Sequence, residues 1–220
     1  MQFIQMAQKV RQLVGMQGTG PSSVDATGSD AIFLEVVKNA WTDIQNYRPE
    51  WKWLRANKTF NLVAGTSTYT PAAIFGPTNR FKSWYNDTFY ILVSGKKTPL
   101  RFLEYDVFRY YHINDSTQTT PNEFTIRPND SAVLFTLPDS NYGIDCDYKK
   151  TVQSLTLATD IPECPEDYHM LIVYEALARY AISIGAGYLY DEYNQKASEL
   201  LGALLREQNP RKIFKVRGIV

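Results

Sequence analysis

Apolar residues recur with a helical period at both ends of this chain and with a strand-like pattern in the long segment between them. The first helix is predicted to end at Gly15, because the apolar residues before it are spaced four, three and four positions apart, as one face of a 3.6-residue period requires. A second helix is predicted to begin near Ser29, a suitable N-cap, and to end before Pro49. The apolar faces of these helices comprise Phe3, Ala7, Val10 and Val14, and then Phe33, Val36, Val37, Ala40, Trp41 and Ile44.

The helical period returns after Pro165, whose lack of an N–H group suits the first turn of a helix. It continues as far as Pro210, but Gly185 and Gly187 interrupt it. The sequence therefore leaves open whether one helix bends there or a break separates two helices. The apolar positions are Met170, Val173, Tyr174, Leu177, Ala178 and Ala181 before the two glycines, and Leu189, Tyr193, Ala197, Leu200, Leu201 and Leu204 after them.

The middle of the chain predicts short strands separated by turns. Residues 142–148 alternate strictly between an apolar and an acidic face, which is typical of a half-buried antiparallel strand. Ala64-Gly65-Thr66 predicts a hairpin turn between a strand at 60–62 and a strand that ends at Tyr69. A short helix is expected at 104–111. The other strand candidates are 81–85, 89–93, 99–103, 124–127 and 133–137, with turn signals at Ser94-Gly95, Pro128-Asn129-Asp130 and Pro138-Asp139.

These patterns predict an α+β protein in which a helical bundle from the N- and C-terminal helices carries an inserted antiparallel β-sandwich or barrel. We expect the helices carrying Trp41 and Leu177 to pack together, because each has a continuous apolar stripe that needs a partner. The predicted segments are 1–54 with 160–209 for the helical bundle, 55–159 for the β-domain and 210–220 for a C-terminal tail.

The charge and cysteine content argue against several classes of protein. The 220 residues include 23 Lys and Arg and 23 Asp and Glu, so the chain lacks the positive field with which tight DNA binders and membrane-surface proteins hold phosphate groups. Cys146 and Cys164 are too few for a disulfide framework, which agrees with assembly in a reducing cytosol. Residues 1–14 contain no long apolar run, so neither a signal peptide nor a membrane span is expected.

The candidate catalytic and ligand-binding residues have simple structural interpretations. The Gly-rich segment 16–28 contains glycines of the kind found in phosphate-binding loops, but it follows a helix and places Pro21 where such a loop needs lysine. We therefore expect a mobile loop there. His169 lies five residues after Cys164 without a recognisable orienting acid, and His112 has no second metal ligand four residues away. The sequence predicts no catalytic residue, no metal site and no cofactor.

Two further groups of residues leave alternatives open. Asp145 and Asp147 share one strand face, where they would form a solvated surface, bind a cation or pair with basic groups of a neighbour. Aromatic clusters at 51–53, 84–85 and 110–111 are typical of a core or a subunit interface, although such rings can also stack sugars or bases. The alternative function is therefore a carbohydrate-binding or hydrolytic module with an aromatic platform on the β-domain. It predicts a concave aromatic groove, whereas an assembly subunit should bury these rings.

Several short motifs follow one another along the chain. They are Asn39-Ala40-Trp41 with Ile44-Gln45, Trp51-Lys52-Trp53-Leu54, Tyr69, Pro99-Leu100-Arg101-Phe102-Leu103, Pro121 with Phe124-Thr125-Ile126-Arg127-Pro128, Asp145-Cys146-Asp147-Tyr148-Lys149-Lys150, Leu155, Ile161-Pro162, Tyr168-His169 and Ala176-Leu177-Ala178. Their order and spacing, from about residue 31 to residue 208, resemble the head-to-tail adaptor, or connector, proteins of tailed bacteriophages, including the tail tubular protein A type. The specificity lies in the order of the motifs rather than in any one of them.

The resemblance implies a structural virion protein without enzymatic activity. Such proteins form a homo-oligomeric ring, commonly a dodecamer, beneath the portal protein at the neck of the virion, and they assemble in the host cytoplasm. The ring extends the channel through which genomic DNA passes without specific binding, and it docks a tail or nozzle protein. No membrane is implied as a partner. A chain with balanced charge suits this channel, because many phosphate contacts would hold the duplex in place.

The C-terminal residues are unusual in this otherwise balanced chain. Four of the ten residues from 211 to 220 are basic and none is acidic, and the segment ends with apolar residues. A free end normally frays, but exposed apolar residues favour the groove or sheet edge of a partner. Our hypothesis is that this tail docks into the portal, and the alternative is a tail that folds back on its own subunit. The candidate portal-binding residues are Arg211, Lys212, Ile213, Phe214, Lys215, Val216, Arg217, Ile219 and Val220.

Overall fold

The computed structural model of the chain describes residues 1–76, 80–112 and 114–208. The α+β class is confirmed, because helices and mainly antiparallel strands both contribute to the fold. The helices are α1 (Phe3–Leu13), α2 (Ser29–Tyr47), α3 (Pro71–Phe75), α4 (Tyr105–His112), α5 (His169–Ser183) and α6 (Gly187–Gln208). The strands are β1 (Arg55–Leu62), β2 (Thr68–Tyr69), β3 (Phe81–Trp84), β4 (Tyr90–Val93), β5 (Lys96–Pro99), β6 (Arg101–Phe102), β7 (Glu123–Ile126), β8 (Val133–Phe135) and β9 (Tyr142–Lys150).

The chain forms two compact units. The helical unit comprises Met1–Trp53 together with the described residues of Val152–Val220, and it contains α1, α2, α5 and α6. The β unit comprises Leu54–Thr151, with the two short helices α3 and α4 beside its strands. Both ends of the sequence therefore contribute to one unit, and a single continuous segment forms the other.

Helix α5 is the centre of the helical unit, because it packs against α1, α2 and α6. The Met1 amine lies 2.6 Å from Nδ1 of His169, so α1 and α5 begin at the same end of the unit. The rings of Phe33 and Tyr180 are 5.2 Å apart, which places the start of α2 beside the end of α5. The predicted packing of the helix that carries Trp41 against this later helix is confirmed.

The helical pattern breaks, rather than bends, between α5 and α6. Gly185 has a φ of +69°, a left-handed conformation that a glycine adopts at little cost and that commonly ends a helix. The N–H of Gly185 donates to the Ile182 carbonyl at 3.1 Å, and the N–H of Ala186 donates to the Ala181 carbonyl at 2.9 Å. These bonds satisfy carbonyls at the end of α5 before α6 begins.

Two sheets make up the β unit. The first has the order β1-β9-β4-β5, with β3 also paired to β9, and the second has the order β2-β8-β7-β6. All pairs are antiparallel except β6–β7, and neither sheet closes into a barrel within the described residues. Side chains from both sheets form one apolar cluster, which is the core of this unit. Its buried members are Leu62, Trp84, Phe89, Ile91, Leu100, Phe124, Val133, Phe135, Ile144 and Cys146.

The turn predicted at Ser94-Gly95 is present, whereas the hairpin predicted at Ala64-Gly65-Thr66 is wrong. Ser94 and Gly95 have φ values of 49° and 79° between the paired strands β4 and β5, as a two-residue hairpin turn favours. The hairpin predicted around Ala64-Gly65-Thr66 does not form, because β1 pairs with β9 and β2 pairs with β8. A tight turn is present there, with the N–H of Thr66 donating to the Val63 carbonyl at 3.0 Å. This turn moves the chain from one sheet to the other instead of joining neighbouring strands.

Candidate functional site

The Gly-rich segment 16–28 packs against α1, which differs from the mobile loop that the sequence predicted. Arg11 donates to the Gln17 carbonyl at 2.5 Å and forms an ion pair with Asp30. Gln8 donates to the carbonyl of the buried Pro21 at 2.9 Å. Side chains of the preceding helix thus hold the segment by binding its backbone carbonyls. This arrangement does not resemble a phosphate-binding loop.

The cysteine and histidine that the sequence placed near each other are structural residues. Burial raises the pKa of the Cys164 thiol to about 12, so the thiol stays protonated at neutral pH and is a poor nucleophile. His169 is buried, and this burial, together with the nearby Met1 amine, lowers the pKa of its imidazole. Cys146 is likewise buried, and its pKa is raised to about 12.

A charged cluster that sequence reasoning missed joins α4 to the second sheet. Nε2 of His112 lies 2.9 Å from Oε2 of Glu123, and Arg101 donates to Oε1 of the same carboxylate at 3.2 Å. A polar pocket of about 260 Å³ lies next to it and is lined in part by Asp115 and Arg127. Across residues 1–76, 80–112 and 114–208, no group of three or more His, Cys, Asp or Glu side chains is arranged to hold a metal ion.

The two aspartates of β9 form a paired network across the first sheet rather than a solvated surface. Asp145 is buried and pairs with Lys97 on β5, and Asn57 on β1 donates to it at 2.5 Å. Asn57 also donates to Asp147 at 3.0 Å, and Nε of Arg55 donates to Asp147 at 2.8 Å. The basic partners come from neighbouring strands of the same chain. This face therefore stabilises the sheet and has no unpaired carboxylate to offer a cation.

Replacing Asp145 with asparagine is expected to lower the free energy of unfolding by about 1 kcal/mol at neutral pH, because a charged hydrogen bond is lost while Lys97 can still be hydrated. The hydrogen bond from Lys97, followed by that from Asn57, lowers the pKa of Asp145 below its ordinary value of 3.8. A lowered folded-state pKa means that this stabilisation is complete above pH 3.8 and disappears as the pH falls through the folded-state pKa.

Urea unfolding of the wild type and the Asp145→Asn variant between pH 2 and pH 7 tests this expectation, with Asp87→Asn as the control because Asp87 is exposed. The difference between wild type and Asp145→Asn should shrink at acidic pH, and the control should differ little throughout. A constant difference across the range would contradict a stabilising role for the ionised carboxylate.

The three aromatic clusters differ in exposure. Trp51 is buried, and its indole N–H donates to the Ile44 carbonyl at 3.0 Å, while Trp84 is buried in the core of the β unit. Tyr110 and Tyr111 on α4 are exposed, but their rings meet at 89°, edge to face. Perpendicular rings do not form the flat platform that stacks a sugar or a base. The clusters at 51–53 and 84–85 are therefore largely core.

Five large exposed apolar side chains lie at one end of the helical unit, while Tyr47, Leu157 and Ile161 are exposed elsewhere on it. Helix α2 runs opposite to α1 and α5, so the end of α1, the start of α2 and the α5–α6 break lie together. Ile182, Ile184 and Tyr188 at the break are 64%, 51% and 76% exposed, and Met16 and Ile32 at the same end are also exposed. Several large exposed apolar side chains at one end of a unit are a feature of protein–protein contact surfaces.

The balanced charge of the chain is divided unequally among its parts. The helical unit up to residue 208 has 8 basic and 14 acidic residues, which gives a net charge of −6. The β unit has 11 basic and 9 acidic residues, a net charge of +2, and residues 209–220 carry the remaining +4. The candidate portal-binding residues Arg211 to Val220 lie outside the described residues.

The candidate side chains described above are thus engaged in structural contacts, while apolar and charged side chains remain exposed on the surface. The family model of the SU10 adaptor protein matches residues 1–214. The chain therefore belongs to this family of phage head-to-tail adaptors, as the order of its motifs implied. No curated protein matches the chain in sequence. Among the residues that the structure describes, no helix is both long enough and apolar enough to cross a membrane.

Proposed function

We propose that this protein is a structural head-to-tail adaptor of a tailed phage virion, which forms a ring beneath the portal, extends the DNA channel and docks the tail. The observation that carries the proposal is the family match over residues 1–214, nearly the whole chain. The ring is a homo-oligomer, with a dodecamer as its expected size. Its helices form a bundle that carries the β unit as an inserted sandwich.

The distribution of charge supports passage of DNA without specific binding. The helical unit is acidic and the β unit is only weakly basic, so neither unit has the dense positive charge that neutralises many phosphates. A duplex that releases few counterions on contact is held weakly and can slide. The channel proposal thus fits the composition of both units.

The carbohydrate-binding or hydrolytic alternative has less support. It needs aromatic rings with free faces, but Trp51 and Trp84 are buried and the exposed Tyr110 and Tyr111 are perpendicular. The exposed apolar end of the helical unit instead suits contacts with neighbouring protein subunits. A structural role in the virion accounts for these observations together.

We also propose that the tail from Arg211 to Val220 is the segment that docks into the portal. Its basic residues would meet acidic groups of the portal, and its apolar residues Phe214, Ile219 and Val220 would anchor it in a groove. The segment follows α6, which is described as far as Gln208, so it would extend from the end of a regular helix.

Electron microscopy of the purified protein mixed with the portal of the same phage tests the proposal. We expect an additional ring on one face of the portal, with the adaptor alone and the portal alone as controls. Mass photometry should show adaptor subunits shifting into a complex of ring size. Portals that remain undecorated at saturating adaptor concentration would contradict the proposed function.

A further inference from the structure

The helical unit has a groove between α2 and α6, with α5 as its floor. The groove has a volume of about 260 Å³. Its apolar lining includes Ile44, Leu171 and Leu201, while Asp43 and Glu175 form part of its polar rim. This volume is below the roughly 300–1,000 Å³ typical of small-molecule sites, so the groove suits side chains of a peptide better than a separate ligand.

The rim of the groove is negatively charged. Asp43 and Glu175 both pair with the single guanidinium of Arg179, which leaves one negative charge at this point. The surrounding helical unit carries a net charge of −6. Residues 209–220 carry +4 without an acidic residue, so they are the most basic segment of the chain and complementary to this unit.

The described end of α6, which precedes the C-terminal segment, lies close to the groove. Ser198 and Leu201 on α6 line the groove, and α6 ends at Gln208. The seven residue-to-residue steps of helix from Leu201 to Gln208 span about 10 Å at roughly 1.5 Å per residue. An extended chain covers about 3.3–3.6 Å per residue, so three or four residues after Gln208 suffice to return to Leu201. The segment from about Ile213 onward can therefore reach the groove of its own subunit.

The sequence of the segment matches the chemistry of the groove. Phe214 and Val216 alternate with Lys215 and Arg217. In an extended peptide, alternate side chains point to opposite sides. Phe214 and Val216 would then enter the apolar floor, while Lys215 and Arg217 would remain at the acidic rim and in solvent.

We propose that, in the free subunit, residues 211–220 occupy the α2–α6 groove of their own chain. The groove and the portal would then compete for the same segment, and portal binding would release it from the subunit. The inference concerns the subunit before assembly, and it is tested without a portal. Its failure would leave the proposed adaptor function intact.

Engineered cysteines in the full-length protein test the proposal directly. The Ser198→Cys/Val216→Cys variant places one thiol in the groove and one in the tail. The matched control is Glu199→Cys/Val216→Cys, because Glu199 is the next residue on α6, is exposed and lies about 100° further around the helix. The native Cys146 and Cys164 are buried with pKa values of about 12, so they should remain reduced under mild oxidation.

We expect the groove pair to form an intramolecular disulfide about tenfold faster than the control pair, because effective concentration depends on whether a tethered segment can adopt the required geometry. Non-reducing electrophoresis of dilute monomer and peptide mass spectrometry measure both rates, and unchanged melting temperatures verify folding. Adding Asp43→Asn and Glu175→Gln to the groove pair, or raising the salt concentration, should bring its rate of disulfide formation closer to that of the control pair. Equal rates for the two pairs would overturn the proposal, as would disulfides formed mainly between two subunits.

Discussion

Replacing Trp41 with alanine is expected to lower the free energy of unfolding by about 3 to 5 kcal/mol, as large-to-small substitutions in a packed core do. Trp41 is 0% exposed, and its ring stacks on Trp53 with 6.2 Å between centroids. Trp53 in turn stacks on Trp51 at 4.5 Å. The indole N–H of Trp41 has no hydrogen-bond partner in the described part of the chain, so the expected loss comes from packing and apolar burial.

Urea unfolding followed by circular dichroism at 222 nm measures this effect, because a fluorescence signal would itself change when a tryptophan is removed. Tyr47→Ala is a suitable control, since Tyr47 lies on the same helix but is 63% exposed. The control should lose much less stability than the Trp41 variant. If the urea midpoint of unfolding is the same for Trp41→Ala and the wild type, the packing of Trp41 does not contribute to the stability of the helical unit.

Deleting Arg211 to Val220 is expected to preserve folding but abolish attachment to the portal. Lys52 donates to the Glu207 carbonyl at 2.8 Å, so the last described turn of α6 is held by a residue that the deletion leaves in place. The lost segment carries all four positive charges of residues 209–220. Electron microscopy of portals mixed with the truncated protein measures the occupancy.

Two full-length variants separate the contributions of charge and apolar anchoring. The first replaces the four basic residues of the tail with glutamine, and the second replaces Phe214, Ile219 and Val220 with serine. The docking proposal expects both to bind portals less well, with the first variant also losing most of the salt dependence. Wild-type occupancy by the truncated protein would show that the tail is not the docking segment.

The sequence predicted the main helices well because the residues that start or stop a helix lie next to its ends in the sequence. Helix α2 ends at Tyr47, shortly before Pro49, as the proline indicated, and it begins at Ser29, although its N-cap is Gly28 rather than the predicted Ser29. Strand β9 begins at Tyr142, where strict alternation begins, and continues to Lys150. Thr70 and Pro71 also start the short helix α3, where the Thr70 hydroxyl accepts from the Ala73 N–H at 3.2 Å, and this cap could have been recognised.

Pairing between distant strands could not be predicted from local patterns. Phe60 and Tyr69 lie on either side of a plausible hairpin turn, yet Phe60 pairs opposite Ile144 and Tyr69 opposite Val133. The register of a strand depends on which partner completes the buried face, and that partner is here more than sixty residues away. Local patterns also did not predict that β6 pairs with β7 in parallel.

The aspartate network of β9 and the groove between α2 and α6 were only partly predictable, because both depend on contacts between segments that are distant in sequence. The acidic alternation of β9 identified Asp145, but its partners Lys97 and Asn57 come from strands whose pairing the sequence did not predict. The groove between α2 and α6 likewise depends on how three helices meet. By contrast, the basic tail could be recognised from composition alone, because its excess of positive charge is visible in the sequence without knowing any contacts.

The discontinuous helical unit has a consequence for the order in which the chain folds. Residues 54–151 are contiguous, so the β unit can fold while the remainder is still being synthesised. Helices α1 and α2 must instead wait for α5, which begins at His169, before their apolar faces are covered. Contacts this distant in sequence form slowly because a long loop must close first. On the ribosome, α1 and α2 can therefore contact each other, but the apolar side chains that pack against α5 stay uncovered until α5 has been synthesised.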